Sequence, residues 1–408
     1  MFTNKNIIVG VTGGIAAYKA CEIIREIKKN NGNVRVVLTE AGSKFITALT
    51  LAALSENAVL QDMFEKKDHS ATVHIEAARW AHAIIICPAT ANTIGKVASG
   101  IADNLLTTLI LAASVPVIFC PAMNKEMLKN EIFQGNSEKL KNVGYFFVES
   151  DEGELACGEV GWGRLANNEK IIAKLKKILL GSDKLTGKKV LVTAGRTEEA
   201  IDPVRFLTNR STGRMGFAIA EAAALNGADV TLISGPTNYQ PFDGVNYFGV
   251  KTAKQMAQKV AEEFPNQDVV IMAAAVADFT PKHYKDQKIK KGGDHLSVEL
   301  LKTKDILKDI GRKKGNKILV GFALETENEE TNALKKLKEK NLDFIVLNNP
   351  TNLGAGFGLE TNIVTILNAD GKKEKLPLMS KQEVAEKIVN EVLECLNKNF
   401  VSEIVNNE

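Results

Sequence analysis

Polar side chains in the first half of the chain come directly after short apolar runs, each typical of a buried parallel strand. They are Thr39, Thr90, Asn92 and Asn124. Because the carboxyl ends of parallel strands meet at one edge of a sheet, these hydroxyl and amide groups could bind one polar ligand together. The amide of Asn124 could bind a carboxylate or a phosphate, although an asparagine at this position could equally cap a helix.

A glycine turn near the start of the chain lies at a comparable position. The strand-like run Asn6–Val11 leads to Gly13 and Gly14, and a helical pattern follows over Ile15–Lys29. A strand, a glycine turn and a helix form an anion-binding arrangement, because free backbone N–H groups at the helix start face the ligand. The segment lacks the GxGxxG spacing, so the turn by itself leaves the class of ligand open.

Two side chains of the same half have chemistry of their own. His74 lies two residues ahead of a short helical pattern, which leads to the strand-like run Ala83–Ile86. A histidine near a strand is ordinarily packed or exposed to solvent, so it indicates function only in combination with other groups. Cys157 lies in the glycine-rich segment Glu154–Leu165, which predicts a mobile loop rather than a helix or strand. A thiol in an exposed loop is available for reaction.

A long loop in the second half, Ala194–Arg214, carries several arginines and an amide, among them Arg205 and Asn209. Loops of this length inside compact domains are usually functional. Gly213 and Gly216 again place free N–H groups at a helix start. On these features alone, a Rossmann-like domain that binds NAD(P) is one alternative.

Lysines from separate segments favour a different ligand. Lys288 opens the basic cluster KIKK, and Lys336 and Lys340 are four residues apart on a predicted helix, so they share one face. The strand-like run Val269–Asp278 ends in small residues and a carboxylate, which let a flat ring or a ribose approach the backbone. A charge run is ordinarily a solvated surface. Together with the arginines, however, these lysines predict a triphosphate, whose oxygens need cationic partners.

The elements that must position these groups alternate between strand and helix along both halves, which predicts an α/β protein. We expect two Rossmann-like domains of three layers each, with mainly parallel sheets. A polar segment rich in helix breakers, 181–186, follows the lysine-rich helix Glu169–Leu180. We therefore predict domains at 1–180 and 187–408, joined by a linker over 181–186.

The 408 residues carry a formal net charge of +3, which is too small to favour binding to nucleic acid or to a membrane surface. The uncharged stretch Asn104–Asn124 is interrupted by Ser114 and Pro116, so we interpret it as a buried helix and a buried strand rather than a membrane span. The five cysteines are scattered without a CxxC pair, and no signal peptide is evident. We therefore expect a cytoplasmic protein without disulfides or a structural zinc site.

Motifs in the first half occur in a fixed order: GGIAAYK at 13–19, a histidine ahead of Arg79-Trp80-Ala81, PATAN at 88–92, PAMNxxM at 121–127 and ACGExGxGR at 156–164. Together they resemble the flavin-dependent cysteine decarboxylases, and among these the phosphopantothenoylcysteine decarboxylase family. The resemblance implies FMN as cofactor, His74 as the base of the oxidative step and Cys157 as the proton donor of the final reduction. It implies Asn124 and Met127 as substrate-binding residues. The residues implied to bind FMN are Gly13, Gly14, Thr39, Pro88, Ala89, Thr90 and Asn92.

The chemistry of this family needs a flavin for a physical reason. A carboxylate on a saturated carbon cannot leave as CO₂ unless the electron pair left behind has an acceptor. Oxidation of the substrate's CH₂–S⁻ group by FMN supplies that acceptor, a thioaldehyde, and the electrons return to the product after CO₂ has left. A thiol in a loop that closes over the substrate suits the last proton transfer.

Motifs in the second half are IDPVRFLTNRSTGRMG at 201–216, AAAVAD at 273–278, KIKK at 288–291, GFALET at 321–326 and GFGLETNIVTI at 356–366. They resemble the phosphopantothenate–cysteine ligase family, in which a nucleoside triphosphate activates the phosphopantothenate carboxylate as an acyl-nucleotide and the amine of cysteine then attacks. The resemblance implies that Asn209 acts on this intermediate, that Arg205 binds substrate and that Lys288 closes over the phosphates. Arg214 stands where this family usually has a lysine. The residues implied to bind the nucleotide are Met272, Ala273, Ala274, Asp278, Lys288, Lys304, Asp305, Ile306, Leu307, Phe322, Lys336 and Lys340.

The two resemblances describe consecutive steps, since the product of the ligase is the substrate of the decarboxylase. We therefore expect a bifunctional enzyme of coenzyme A biosynthesis. It would join L-cysteine to 4′-phosphopantothenate and decarboxylate the product to 4′-phosphopantetheine. Mg²⁺ and CTP are expected for the ligase, as in bacterial fused enzymes, although stand-alone eukaryotic ligases use ATP. The families imply homo-oligomers: trimers from the first half, which can assemble into dodecamers, and dimers from the second.

Two other classes are alternatives. The decarboxylase fold also serves as a phosphatase-inhibiting subunit, but the chain has both His74 and Cys157 and lacks an acidic tail. An NAD(P) oxidoreductase is disfavoured because neither half contains GxGxxG. The sequence assigns no metal ligands.

Overall fold

Alternating strands and helices form two α/β units, Met1–Leu180 and Gly181–Glu408. The computed structural model describes residues 1–64, 72–154, 158–290, 296–325, 327–349, 356 and 358–406.

The helices of the first unit often begin at a threonine or asparagine, such as Thr47 and Asn104, whose side-chain oxygen accepts an N–H of the first turn. The strands described in this unit are β1 (Asn6–Val11), β2 (Asn33–Leu38), β3 (Val59–Leu60), β4 (Ala83–Ala89), β5 (Val117–Pro121), β6 (Phe146–Phe147), β7 (Asp151–Glu154) and β8 (Val160–Arg164). The helices are α1 (Ala20–Lys29), α2 (Glu40–Ser43), α3 (Ala48–Ser55), α4 (Val73–Trp80), α5 (Ala91–Ala98), α6 (Leu105–Ala112), α7 (Lys125–Lys129), α8 (Glu131–Asn142) and α9 (Asn168–Leu180), with a 3₁₀ helix at Ile15–Lys19.

The main sheet of the first unit has the strand order β3-β2-β1-β4-β5-β6, and all neighbouring strands are parallel. Successive residues of β1 alternate between two cores: Ile7 and Val9 pack in one, and Ile8 packs in the other. A sheet with an apolar core on each face is covered by helices on both sides, which makes three layers. The strand order is that of a Rossmann-type fold.

Strand β4 is longer than its apolar run predicts. The strand continues through Pro88 to Ala89, where the sequence predicts a loop over 88–92, and Asn92 already belongs to α5. The pairing of β4 with β5 shifts register at this point. Such an irregularity accommodates a proline inside a sheet, because proline has no N–H for the ladder. Thr90 alone therefore connects the strand to the helix.

The glycine-rich segment 154–165 differs from its prediction as a mobile loop. In its described part, β7 and β8 form an antiparallel hairpin with Gly153 opposite Gly161. The prediction is wrong because half of the pairing comes from residues before the glycine-rich segment, where the sequence shows no strand pattern. Cys157 lies outside the described residues.

The second unit repeats the alternation of strands and helices. Its described strands are β9 (Lys189–Ala194), β10 (Glu198–Ala200), β11 (Phe206–Thr208), β12 (Asp229–Ser234), β13 (Asn246–Gly249), β14 (Val269–Met272), β15 (Phe279–Pro281), β16 (Leu300–Lys302), β17 (Ile318–Leu324), β18 (Phe344–Asn348), β19 (Thr361–Asn362), β20 (Val364–Asn368), β21 (Lys373–Lys375) and β22 (Met379–Ser380). The helices are α10 (Arg214–Leu225), α11 (Ala253–Glu263), α12 (Ile306–Gly311), α13 (Glu329–Glu339) and α14 (Lys381–Asn406), with a 3₁₀ helix at Phe264–Asn266.

The main sheet of the second unit has the order β13-β12-β9-β14-β17-β18-β20-β21. The first six strands in this order are parallel, and β20 and β21 are antiparallel additions at one edge. Counted along the chain, the six parallel strands have the same order as those of the first unit. Val190 and Val192 pack in one core and Leu191 in the other, so this sheet is also covered on both faces. The prediction of two Rossmann-like α/β units with mainly parallel sheets is confirmed.

The polar segment 181–186, predicted as a linker, makes its contacts within the second unit. The backbone N–H of Ser182 donates to the carbonyl of Leu225 at 2.8 Å, and its hydroxyl donates to Asn226 at 2.8 Å. Leu185 is buried in the same core as Val190. The segment therefore completes the C-terminal end of α10.

The uncharged stretch 104–124 forms α6 and β5, as its division by Ser114 and Pro116 predicts. Among the residues that the structure describes, no helix is both long and apolar enough to cross a membrane.

Candidate active sites

A cavity of ≈ 1090 Å³ opens at the carboxyl edge of the first sheet, beside the ends of β1 and β4. The strand order changes direction between these two strands, so the connections that follow them diverge and leave a crevice. The volume lies just above the range of about 300–1,000 Å³ found for ligand pockets, which is enough for a cofactor and a substrate together. The lining residues are Thr12, Gly13, Gly14, Ile15, Ala16, Tyr18, Lys19, Thr39, Glu40, Ala41, Thr90, Ala91, Asn92, Thr93, Lys96, Asp103, Asn104, Ala122, Met123, Asn124, Met127, Glu154, Gly163, Arg164 and Leu165.

Threonine hydroxyls connect the ends of β1 and β4 at this cavity. Thr12 donates to the carbonyl of Pro88 at 2.7 Å and accepts the N–H of Thr90 at 3.2 Å. The Thr90 hydroxyl in turn accepts the N–H of Thr93 and caps α5. These bonds hold the start of α5 beside the glycine turn.

The glycine turn itself is held tightly against the connection between β2 and α2. A Cβ on Gly13 would lie 2.5 Å from the Cβ of Ala41, so only glycine fits there. Thr39 caps α2 by accepting the N–H of Gly42 at 3.1 Å. A Cβ on Gly14 would meet its nearest atom, on Thr90, only at 3.8 Å, so this position is less crowded than Gly13.

The residues predicted to bind the cofactor divide into two groups in the structure. Gly13, Gly14, Thr39, Thr90 and Asn92 line the cavity. Pro88 and Ala89 are buried within β4, so their contribution is to the shape of the strand end.

Asn124 and Met127 lie at the same cavity, on the connection that follows β5. The Asn124 side chain accepts the N–H of Glu126 at 2.8 Å and caps α7, so the interpretation as a helix cap is correct. The same side chain also lines the cavity, as does the half-exposed Met127. Capping and ligand contact are therefore compatible at this position.

The β7–β8 hairpin lies directly against the Asn124 connection. The N–H of Met123 donates to the carbonyl of Gly163 at 3.0 Å. Gly163 has φ +130°, and a Cβ there would be 2.2 Å from the Met123 carbonyl oxygen. Lys125 and Glu159 form an ion pair at 3.3 Å. Only glycine at position 163 allows the hairpin to lie this close to the cavity.

His74 lies in the first turn of α4, which begins earlier than the sequence predicts, and it is half-buried and not among the residues that line the cavity. Its Nδ1 atom is buried and has no hydrogen-bond partner in the described part of the chain. A buried polar atom without a partner is uncommon and calls for an explanation. The first unit therefore brings Asn124 and Met127 to the predicted cofactor residues but does not bring His74 there.

Lys96, Asp103 and Asn104 are among the polar residues at the cavity that were not predicted. Lys96 and Asp103 form an ion pair at 2.5 Å, and hydrogen bonding to Lys96 holds the pKa of Asp103 below its ordinary value. Asn104 caps α6 in a reciprocal arrangement with Thr107. An asparagine ahead of an apolar run is a recognisable cap signal, but nothing local shows that α5 and α6 meet at the cavity.

The carboxyl edge of the second sheet has a comparable change of direction between β9 and β14. The N–H of Ala275, on the connection after β14, donates at 2.8 Å to the carbonyl of Gly195, on the connection after β9. This bond joins the two connections. The Asn209 side chain donates to the carbonyls of Ala275 and Val276, both at 3.2 Å. Asn209 is thus held next to the segment 272–274, which is predicted to bind the nucleotide.

Asp202 connects Arg205 to the basic loop. Its buried carboxylate accepts the N–H groups of Val204 and Arg205, both at 2.8 Å, and that of Ile289 at 3.1 Å. Arg205 also donates to the Ile289 carbonyl at 3.2 Å. Burial acts to raise the pKa of Asp202, but these N–H groups and the Arg205 charge outweigh it, so the pKa lies below its ordinary value. The exposed Lys288 is thereby placed beside the long loop.

The end of β14 presents backbone rather than bulky side chains. Met272 is buried, and the Thr193 hydroxyl donates to its sulfur at 3.7 Å while accepting the N–H of Ala274 at 3.2 Å. Ala273 is half-buried and Asp278 is exposed. The strand ends at Met272, six residues before Asp278, so the sequence prediction of a strand up to that carboxylate is too long.

The lysines predicted to bind the nucleotide are held by carboxylates. Lys336 lies 2.6 Å from Glu325, and Lys340 lies 3.0 Å from Asp305. Asp305 also caps α12. These ion pairs hold the Lys336 ammonium near the end of β17 and the Lys340 ammonium near the start of α12.

The remaining nucleotide candidates have different degrees of exposure. Ile306 and Leu307 are buried in a core, so their side chains are not available to a ligand and only their backbone could face one. Phe322 is half-buried against the other core. Lys304 is exposed and paired with Asp309 at 2.6 Å.

A protein-built metal site of three or more His, Cys, Asp or Glu side chains is not found among the described residues. Mg²⁺ held by a triphosphate and one or two carboxylates needs no such cluster.

The fold and the two sites define a two-unit α/β enzyme with a cofactor-sized cavity in one unit and a basic loop at the sheet edge of the other. The family described as Flavoprotein matches residues 1–180, and the family described as DNA/pantothenate metabolism flavoprotein C-terminal domain matches residues 185–396.

Similar proteins match nearly the whole chain. The coenzyme A biosynthesis bifunctional protein CoaBC of Bacillus subtilis (strain 168) is 49% identical over 395 residues, which is 96% of this chain and 97% of that protein. A cysteine/cysteine sulfinic acid decarboxylase from an unknown prokaryotic organism is 46% identical over 85% of this chain and 99% of that protein. A crystal structure of the C-terminal domain of a CoaBC protein is 43% identical and covers 53% of this chain and all of that one, with a TM-score of 0.47.

The chain belongs to the family of coenzyme A biosynthesis bifunctional proteins. It is an enzyme that combines a phosphopantothenoylcysteine decarboxylase with a phosphopantothenate–cysteine ligase.

Proposed function

We propose that the first unit binds FMN and releases CO₂ from 4′-phosphopantothenoylcysteine, and that the second unit makes this compound from 4′-phosphopantothenate, L-cysteine and CTP in the cytoplasm. The observation that carries the first part is the ≈ 1090 Å³ cavity, in which the predicted cofactor residues meet Asn124 and Met127. The observation that supports the second is the meeting of Asn209 with the end of β14.

The residues at the first cavity fit an FMN group. The Thr90 hydroxyl and the start of the 3₁₀ helix Ile15–Lys19, which has no side-chain cap, lie at the cavity and suit a phosphate. Ala91 and Ala122 are small enough to admit a flat ring. When bound, FMN accepts and returns the two electrons that allow the carboxylate to leave as CO₂.

Side chains of the first unit have the remaining tasks. Asn124 and Met127 hold the carboxylate side of the substrate, because both line the cavity beside the hairpin. His74 removes a proton from the substrate in the oxidative step. Cys157, which lies outside the described residues, donates the last proton.

We propose further that His74 serves the cavity of a neighbouring copy in a trimer. The support is that His74 is not among the residues that line its own cavity, together with its unpartnered Nδ1. Two large apolar side chains that line the cavity, Ile15 and Tyr18, are also exposed.

Mixing two inactive variants tests the shared site. His74→Asn and Asn124→Asp would each be inactive in CO₂ release, and unfolding and reassembly at equal amounts would restore intact sites. When a cyclic trimer assembles at random from equal amounts of the two variants, about one quarter of the sites contain both the wild-type His74 and the wild-type Asn124. Absence of any recovery, with trimers formed, would show that each chain uses its own His74.

In the second unit, Lys288 and the paired Lys336 and Lys340 neutralise the triphosphate while Asn209 holds the acyl-nucleotide. Arg205 binds the substrate, since the Asp202 carboxylate fixes its backbone beside the basic loop. Because the acyl-nucleotide forms first, the carboxylate carries a leaving group that the amine of cysteine then displaces. Mg²⁺ would be held chiefly by the phosphate oxygens.

A dimer of the second unit is proposed from exposed apolar side chains on two short sheets. β10 of the sheet β10–β11 packs beside β15 of the sheet β15–β16, and the exposed apolar residues of the two sheets are Phe206, Leu207, Phe279, Leu300 and Leu301. Exposed apolar side chains grouped on neighbouring elements are typical of interaction sites. Leu301→Glu should dissociate the dimer, as measured by light scattering of the second unit.

The purified protein tests the whole proposal. Bound FMN should give a flavin absorption spectrum, and mass spectrometry should follow conversion of 4′-phosphopantothenate and cysteine to 4′-phosphopantetheine with CTP. ATP in place of CTP decides the nucleotide, and chelation by EDTA tests Mg²⁺. Release of CO₂ from free cysteine, as the name of one relative suggests for that protein, would instead favour a cysteine decarboxylase.

A further inference from the structure

Two basic side chains meet where α10 and α14 begin. Arg214 is the first residue of α10, Lys381 is the first residue of α14, and the two helices pack against each other. Lys381 is only 6% exposed. Burial lowers the pKa of Lys381, and the positive charge of Arg214 lowers it further. The Glu360 carboxylate acts on this pKa in the opposite direction. The backbone N–H of Lys381 donates to the carbonyl of Glu360 at 3.0 Å, and the Glu360 side chain pairs with Arg214, so both basic residues lie beside Glu360.

Among the described residues, one exposed carboxylate, Glu360, acts on the two positive charges. Arg214 forms an ion pair with Glu360 at 2.7 Å, but the Glu360 side chain is 80% exposed. Lys381 donates to the carbonyl of Gly356 at 3.3 Å, and no described carboxylate lies within ion-pair distance of its ammonium group. A buried ammonium beside a guanidinium is unfavourable, and an anion between them would remove the conflict.

The backbone at this place is also suited to an anion. Gly213 precedes α10 and supplies no side-chain cap, so the N–H groups of the first turn have none. The same glycine lies against Gly195, since a Cβ on Gly213 would be 3.1 Å from the Gly195 backbone. Gly195 in turn accepts the N–H of Ala275 at the end of β14. The start of α10 is thus continuous with the edge where Asn209 is held.

We propose that Lys381 and Arg214 together bind the polyphosphate of the nucleotide, and that Glu360 occupies Arg214 until the polyphosphate displaces it. This inference rests on the proposed nucleotide-dependent ligase and adds Lys381 and Glu360 to its site. The phosphate oxygens bridge the ammonium and guanidinium groups, and the first turn of α10 supplies further N–H donors. Glu360 acts as an internal competitor that holds Arg214 in place when no nucleotide is bound.

Calorimetric titration of the full-length protein with inorganic pyrophosphate, and separately with CTP, tests the proposal. Lys381→Met is expected to weaken both ligands by about tenfold or more, because a charge-assisted hydrogen bond is lost. Glu360→Gln removes only an exposed carboxylate, and it is expected to strengthen pyrophosphate binding several-fold. Lys387→Met, an exposed change on the same helix, is the matched control and should leave both affinities unchanged.

The two variants are expected to act in opposite directions, which a purely structural role would not produce. Unchanged affinity in a folded Lys381→Met protein, or weaker binding in Glu360→Gln, overturns the proposal. If Lys381→Met fails to fold, the direction of the Glu360→Gln effect decides alone. CTP-dependent ligation by the wild-type protein is measured first, so failure of the ligase function is distinguished from failure of this inference.

Discussion

At the scale of single residues, an unpartnered atom distinguishes His74 from His82. The Nδ1 of His82 accepts the backbone N–H of Asn6 at 2.9 Å, whereas that of His74 has no described partner. We predict that His74→Asn keeps its flavin and loses CO₂ release by about 10²–10⁴-fold, the usual contribution of a general base. His82→Asn is the control and should keep decarboxylase activity.

Flavin absorbance and CO₂ release, measured on the same sample, check the His74 prediction. A His74→Asn protein with full flavin content that still released CO₂ at the wild-type rate would exclude the role as base. Loss of the flavin would instead indicate a structural role.

Asp202 gives a prediction about pH. Its pKa is lower in the folded state than in an unfolded chain, because hydrogen bonds and the Arg205 charge outweigh burial. A carboxyl of this kind stabilises the fold above its unfolded pKa, and the stabilisation is lost as the pH falls through the folded pKa. Asp202→Asn should therefore lower stability at pH 7 more than at acidic pH, and should lower ligase activity.

Urea unfolding of the second unit at neutral and acidic pH checks this prediction. Asp286→Asn serves as the control, since this carboxylate is exposed and lies in the same unit. An equal loss of stability for Asp202→Asn at both pH values would show that its charge contributes nothing.

At the scale of elements, the β7–β8 hairpin depends on one glycine. Gly163→Ala would place a Cβ 2.2 Å from the Met123 carbonyl oxygen at a backbone φ of +130°. Strain of this kind costs roughly 1–3 kcal/mol, so the hairpin should move away from Asn124. We predict a loss of CO₂ release with flavin content and ligase activity retained.

Gly135→Ala is the matched control for the hairpin prediction. This glycine lies in α8, and a Cβ added to it would meet no described atom within 4 Å. Alanine should therefore stabilise the helix by up to about 1 kcal/mol. Normal decarboxylation by Gly163→Ala would mean that the hairpin position is not important for the reaction.

At the scale of the whole molecule, the division at residues 180 and 181 predicts that each unit folds alone. Fragment 1–180 should bind flavin, and fragment 181–408 should carry the ligase. Fragment 187–408 should unfold at a lower temperature, because it lacks the buried Leu185 and the hydrogen bonds of Ser182. Burial of one leucine contributes about 1.5–3 kcal/mol, which corresponds to a decrease in Tm of roughly 5 °C.

Thermal unfolding of the three fragments, followed by circular dichroism, checks this prediction. Equal unfolding temperatures for 181–408 and 187–408 would show that the segment is a free linker. Insolubility of both single-unit fragments, with a soluble full-length chain, would show that the units depend on each other.

Local patterns were sufficient for the α/β class and for much of the first cavity. Parallel strands buried on both faces require continuous apolar runs, so β1 and the core of β4 could be recognised within a few residues. Polar residues that follow such runs must lie at the carboxyl edge, which is why Thr39 and Thr90 were found. These features depend on neighbours in the chain, and the sequence by itself determines them.

Contacts between distant segments were decided only by the tertiary structure. Asp202 accepts the N–H of Ile289, which is 87 residues away in the sequence, and no local pattern indicates that bond. The same holds for the burial of Ile306 in a core and for the meeting of Arg214 with Lys381 at the ends of two helices. A side chain's type states what chemistry it can do, but its partners and exposure depend on how the sheets and helices pack around it.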